Sequence, residues 1–188
     1  MKRSMLCVAL VALGVYLSVP GIAVAMEKRV GAADQAFAMM AAGGGLEEVQ
    51  LGKLAADRAA SPEVKQFAQR LVQDHTKANQ ELLTIAQKKG ISVPKQLDDT
   101  HKAIVKLFSQ LEGAQFDREY LRSQVMDHEK ETAAFAVQAK EGQDPDLKAF
   151  AARQLPILKE HLQKARELAA QHYSAGMGGQ PTERRGTR

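Results

Sequence analysis

Two segments of this 188-residue chain carry one pattern: SPEVKQFA at 61–68 and DPDLKAFA at 144–151 share Pro, Lys, Phe and Ala at matching positions. An internal repeat constrains architecture more than any local motif, because it implies that one structural unit is used twice. In each copy Ser61 or Asp144 stands as a helix N-cap, a proline takes the first helical position, an acidic residue lies in the first turn and an amphipathic stretch follows. The copies therefore open two equivalent helices. Glu48 lies 13 residues before Ser61 and His75 lies 14 after it, while His128 lies 16 before Asp144 and His161 lies 17 after. Both offsets grow by three, which reads as one extra turn per arm in the second copy. On that reading Glu48 pairs with His128, and His75 with His161, about an approximate two-fold.

The N-terminus has the form of a signal peptide over 1–25: Lys2 and Arg3, an apolar run from Met5 to Val19, and the small-residue site Ala23-Val24-Ala25. Cleavage is expected after Ala25, giving a periplasmic or secreted protein with no integral membrane segment. A retained anchor is the alternative, since the run approaches the roughly 20 residues needed to span a bilayer. Pro20 and Gly21 favour cleavage. Cys7 is the only cysteine and falls within the removed segment, so the mature chain relies on its core and not on disulfides. Without residues 1–25 the chain holds 24 basic and 22 acidic residues, and Arg184, Arg185 and Arg188 sit in the tail. A nearly neutral folded part with no basic stripe argues against nucleic acid as a partner. A metal ion, a second copy of the chain or another envelope protein are the partners left in view.

Ala, Leu, Gln, Lys and Glu dominate and β-branched runs are nearly absent, which points to an all-α chain. The pattern predicts a short N-terminal helix over 33–42, stopped by Gly43-Gly44-Gly45 because glycine is costly inside a helix. Further helices are predicted over 46–60, 62–89, 97–111, 115–141 and 145–173. The first and second hairpins have tight turns, whereas the crossover between them takes roughly 25 residues and holds its own helix. Two hairpins joined by a long crossover describe a ferritin-like four-helix bundle and not a simple up-down-up-down one. The bundle domain is expected over 33–173, and the Gly-, Pro- and Arg-rich segment 174–188 is expected to be disordered.

Four ionisable residues fall at seam positions. Val64, Ala68, Leu71, His75, Ala78 and Leu82 follow steps of four and three, as do Leu121, Val125, His128, Thr132 and Phe135. The series Leu147, Ala151, Gln154, Leu158, His161, Ala165 and Leu168, and the series Phe37, Ala41, Gly44, Glu48, Leu51 and Ala55, complete the set. Counted from the turns, Glu48, His75, His128 and His161 lie in one layer about 20 Å down the bundle. A buried carboxylate and three buried imidazoles each need a partner, and one divalent transition metal (Fe, Mn, Cu or Zn) satisfies all four. The alternative is an internal hydrogen-bond network in which Glu48 holds one protonated histidine.

Around them, Asp74, Asp127 and Glu160 each precede a histidine and point about 100° away, so they fit supporting or surface roles. Glu131, one turn from His128, is the spare carboxylate, reaching the site or else lying on a solvated face. Tyr120 is read as core packing, or as a hydroxyl donor to the site. His101 and His172 are read as exposed, and Pro156 as a kink near His161.

The segments LEEVQLGKLAADRA, VKQFAQRLVQDHTKANQELL, FDREYLRSQVMDHEK and LPILKEHLQKA resemble the domain of unknown function numbered 4142. This is a bacterial family described as ferritin-like and often labelled as predicted outer-membrane proteins. The resemblance covers 33–173 and implies a ferritin-like fold and export; it implies no reaction. No segment alternates with the period of a barrel strand, so the outer-membrane label has no support here. The chain departs from di-iron ferritin-like proteins, because Val72 and Leu158 stand three residues before His75 and His161, and His128 stands where a second bridging Glu is expected. Two functions follow as expectations: one metal in the bundle core serving metal binding or oxidative and envelope stress protection, or a non-enzymatic envelope stress or interaction protein with a structural polar core. The second expects an exposed apolar patch at Phe37, Met39 and Met40. A nucleophilic hydrolase is disfavoured by the lack of a cysteine in the mature chain and of any Ser-His-Asp pattern.

Overall fold

The computed structural model describes residues 30–177, with side chains to 172; the predicted signal peptide and residues 178–188 of the tail lie outside the described residues. Five helices follow in order: α1 (Ala32–Arg58), α2 (Pro62–Lys89), α3 (Asp99–Phe108), α4 (Gly113–Glu141) and α5 (Pro145–Met177). No strand occurs among the described residues, only an isolated bridge between Ala59 and Gly113. None of the described helices is long and apolar enough to cross a membrane.

The repeated caps work as their chemistry requires. Ser61 Oγ accepts from the Val64 amide at 3.4 Å, and Asp144 Oδ1 accepts from the amides of Asp146 and Leu147 at 3.0 and 3.1 Å. Helix α2 ends at Gly90, whose φ of 65° is the left-handed conformation that glycine adopts without strain. Helix α5 continues through Pro156 and past the predicted end at Tyr173.

The predicted glycine stop is overturned. Gly43-Gly44-Gly45 do not stop a helix: the predicted helices 33–42 and 46–60 are a single α1. Each glycine costs about 1 kcal/mol relative to alanine in isolation, but α1 uses glycines for close approach. A Cβ on Gly45 would fall 2.1 Å from Asn79 Oδ1, and one on Gly52 would fall 2.7 Å from Val72 Cγ2 and 3.1 Å from the Ala68 carbonyl. Tertiary packing thus overrides local propensity. The predicted exposed patch is also split, because Phe37 is buried against Phe135 and Phe150 while Met39 and Met40 are exposed.

Helix α1 packs along α2 and α4 along α5; the pairs meet through α2 with α5 and α1 with α4, and α3 lies on α1. Each hairpin turn is held by an aspartate from the other hairpin. Asp117, near the start of α4 and 1% exposed, accepts from the Ala60 and Ser61 amides at 2.9 Å each. Asp34, near the start of α1 and 2% exposed, accepts from Gln138 Nε2 at 2.7 Å and from the Gln143 and Asp144 amides at 3.2 and 2.9 Å. Lys89 at the end of α2 pairs with Asp144 and Asp146 at 2.8 and 2.9 Å, so α2 and α5 run antiparallel.

These locks correct the register of the repeat. Asp34 and Asp117, Ser61 and Asp144, and the helix ends Arg58 and Glu141 are all 83 residues apart. The second hairpin is therefore the first without insertion over α1, its turn and the start of α2. In that register Glu48 corresponds to Glu131, not to His128.

Candidate metal centre

The apolar interior is two clusters. One holds Leu51, Phe67, Leu71, Phe116, Tyr120 and Leu168, the other Phe37, Leu82, Phe135, Leu147, Phe150 and Leu158. Along each long helix the polar residues fall between them: Glu48 on α1, His75 on α2, Gln124, His128 and Glu131 on α4, and His161 on α5, all buried. Among the described residues nine buried side-chain nitrogen and oxygen atoms lack a hydrogen-bond partner, and every one belongs to this layer or to Tyr120 and Thr132 beside it. A buried polar atom without a partner costs about 1–3 kcal/mol, so nine in one layer call for a common explanation.

Three imidazoles form the centre of the layer. Their ring centroids stand 5.6 Å apart for His75–His128, 5.6 Å for His75–His161 and 5.4 Å for His128–His161. One ligand atom from each lies within 4.8 Å of the others. Two of the rings are anchored at their other nitrogen. His128 Nδ1 is 3.0 Å from the Gln124 carbonyl, which only a ring N–H can satisfy, leaving Nε2 as an acceptor without a donor. His161 Nε2 is 2.9 Å from Asp74 Oδ2, leaving Nδ1 free. His75 Nε2 is likewise buried and unpartnered. A carboxylate or carbonyl behind an imidazole is how ligating histidines are oriented.

Burial dominates the electrostatics. It depresses His75 well below its ordinary value, with His128 and His161 adding to the effect. It lowers His128 to about 3, assisted by His161 and opposed by the Gln124 carbonyl. It lowers His161 as well, opposed by Asp74. All three rings are neutral at neutral pH, the form that binds metal.

Glu48 and Glu131 neighbour one another outside the 4.8 Å grouping, and Glu131 borders a small cavity together with His75 and His161. Burial raises Glu48 well above the usual carboxylate value, with Glu131 adding repulsion; the nearby Gln124 amide works the other way, without a hydrogen bond of ordinary length. Burial also raises Glu131, reinforced by Asp127 and Glu47. Of the two readings of Glu131, a carboxylate reaching the site or one on a solvated face, its 9% exposure removes the second. Tyr120 stacks on Phe116 at 5.7 Å with its hydroxyl unpartnered near Glu48, and burial raises it well above its ordinary value. Val72, where a di-iron pattern expects a carboxylate, packs on Gly52, and Leu158 belongs to an apolar cluster.

The remaining residues sort by contact. Asp74 supports His161 as above, Glu160 pairs with Arg70 at 2.6 Å and Asp127 with Lys130 at 3.2 Å. His101 is only partly exposed, held by Asp98 at 2.7 Å and Glu47 at 3.4 Å, and His172 is partly buried as well. Sequence reasoning missed Gln124 and the Glu48–Glu131 pairing; the constant separation of 83 residues was the signal for the latter.

No curated protein matches this sequence. Among solved structures, the crystal structure of a DUF305 fragment from Deinococcus radiodurans is similar in fold, with a TM-score of 0.66 at 13% identity over 76% of this chain and 98% of that one. The model of the family described as "Domain of unknown function (DUF4142)" matches residues 20–168, which include all of α1 to α4 and every residue of the polar layer. The chain therefore belongs to the DUF4142 family.

Proposed function

We propose that this protein is an exported, ferritin-like helical bundle that binds one divalent transition metal in its core, with His75, His128 and His161 as ligands. The supporting observation is that each of the three rings keeps one buried nitrogen without a partner, and that these rings converge. A self-satisfied hydrogen-bond network leaves no such atoms. A metal bonds imidazole nitrogen at about 2.1 Å, so binding draws the three rings inward around it. Neutral imidazoles suit Fe, Mn, Cu or Zn, and no proton has to be displaced from them at neutral pH. Glu131 borders the small cavity with His75 and His161, and Glu48, the fourth residue of the set read from sequence, neighbours Glu131; on metal binding either carboxyl gives up its proton to supply negative charge. The pairing of α1 with α2 and α4 with α5, across a long connection that holds α3, supports the ferritin-like reading. A role in metal handling or in oxidative or envelope stress protection follows from a site with three protein ligands and room for a further one. The signal-peptide pattern supports export to the periplasm.

Metal analysis and thermal melting of untagged protein test this. Reconstitution with Fe, Mn, Cu or Zn is expected to give about one ion per chain, as three protein ligands plus an exchangeable position require. At a hundredfold excess over Kd, melting should rise by about 5–10 °C, corresponding to about 2.7 kcal/mol of linkage. His128→Ala should lose both. Metal-independent melting in the wild type would instead favour the non-enzymatic protein with a structural polar core.

A further inference from the structure

Two cavities approach the polar layer from different sides. One, of about 20 Å³, adjoins His75 and His161 and has room for a single water-sized particle. The other, of about 630 Å³, opens to solvent where α1, α3 and α4 meet. Its carboxylates are Glu47, Asp98 and Asp127 toward the mouth and Glu48 and Glu131 deeper in. Glu131 lines both cavities, and no other residue does. Both deep carboxylates are more than nine-tenths buried and each keeps an unpartnered Oε2. Lys130 at the mouth is already paired with Asp127, and His101 with Asp98 and Glu47.

Resting on the metal reading above, we propose that the larger cavity is the route by which a divalent cation reaches the histidines, and that Glu48 and Glu131 form a carboxylate transit site on it. Glu47, Asp98 and Asp127 against one lysine attract a hydrated dication to the mouth, and low-dielectric walls focus that field. Glu48 and Glu131 then release their protons to the cavity water as the ion arrives and replace part of its water shell with oxygen, the donor that hydrated cations exchange most readily. Glu131 faces the histidine side as well, so the ion passes to the softer nitrogen ligands by moving past one side chain. Helix α3 is part of this route: Asp98, His101 and Ile104 border the mouth, and a Cβ on Gly43 would lie 3.6 Å from His101 Cε1. The glycines at 43 and 44 keep the α1 wall open, since a Cβ on Gly44 would press on Glu131 Oε1 at 3.2 Å.

The test is stopped-flow mixing of metal-free protein with Co²⁺, followed by the visible absorbance of nitrogen-ligated cobalt and by the bound amount at equilibrium. Glu131→Gln, nearly the same shape without a carboxyl that can ionise onto the cation, is expected to slow uptake at least about tenfold while final stoichiometry stays that of the wild type. Glu47→Gln combined with Asp127→Asn, at partly exposed positions, should slow it about threefold in low salt, with the difference vanishing at high salt. Wild-type rates in all variants would overturn the route and leave the histidine site standing. Loss of equilibrium binding in a folded Glu131→Gln protein would overturn it too, making Glu131 a ligand. A wild type that takes up no Co²⁺ overturns both readings. If Glu131→Gln does not fold, the mouth variant alone decides: slower uptake supports the route and unchanged uptake overturns it.

Discussion

The two hairpins share a frame and differ in their chemistry. In both, an N-capped proline helix leaves a tight turn, an aspartate from the opposite hairpin accepts the turn's amides, and a glutamate sits at the same height in the core. The first hairpin contributes one histidine to the centre, His75, and the second contributes two, His128 and His161. Where the second has His128 the first has Gly45, against which Asn79 packs. Where the second has Phe135, the first has Gly52 against α2. The frame is set by turns and caps at the ends of the bundle, which leaves mid-helix positions free to diverge. The site therefore draws unequally on an otherwise symmetric scaffold, one histidine from the first hairpin and two from the second.

The largest effects should come from the two aspartate locks, because equivalence of the hairpins requires that they cost alike. Asp117→Ala and Asp34→Ala each strip a buried carboxylate from backbone amides and should destabilise by about 3 kcal/mol, lowering Tm by about 6–12 °C. Being at opposite ends, they should add within about 0.5 kcal/mol in the double variant. A cost confined to one of them would break the equivalence.

Next come the glycines peculiar to α1. Gly52→Ala drives a methyl into Val72 and the Ala68 carbonyl and should cost about 2 kcal/mol by chemical denaturation, despite alanine's better helix propensity. Gly43→Ala meets only ordinary contact with His101 and should stabilise by about 0.5–1 kcal/mol. The opposite ranking would show that α1 is not packed through Gly52.

The pH profile of the metal-free protein separates the histidines from the carboxylates. Below the ordinary histidine value of 6.5 the unfolded chain takes up protons that the folded rings refuse, down to about 3 for His128, so stability falls with acid. Above the ordinary carboxylate value of 4.5 the unfolded chain loses protons that folded Glu48 and Glu131 retain, so stability also falls with alkali. The maximum should lie between those limits, with each unmatched proton giving a slope of about 1.4 kcal/mol per pH unit. Glu48→Gln should flatten the alkaline limb and leave the part of the acid limb below pH 4.5 unchanged; equal alkaline slopes in the two proteins would contradict it.

Much of this was legible in the sequence for identifiable reasons. The boundaries at Pro62, Lys89, Glu141 and Pro145 follow from cap, proline and glycine chemistry that acts within a few residues. The convergence of His75, His128 and His161 follows from helical phase. The continuity of α1 was not legible, because what makes glycine acceptable at 45 and 52 is the surface of α2. The repeat register was misread because it was anchored on the ionisable residues, which diverged. The aspartates at 34 and 117, held by backbone geometry, did not. Burial of Glu131 depended on that register, and His101 depended on the packing of α3 over Gly43.

The most direct measurement of the central claim is an anomalous-difference map from crystals of the untagged protein soaked in Zn²⁺ or Co²⁺, collected on either side of the metal edge. One peak at about 2.1 Å from a ring nitrogen of each of His75, His128 and His161 is the predicted result. A map with no peak between those rings, from crystals in which the soaked metal is visible elsewhere, would contradict it.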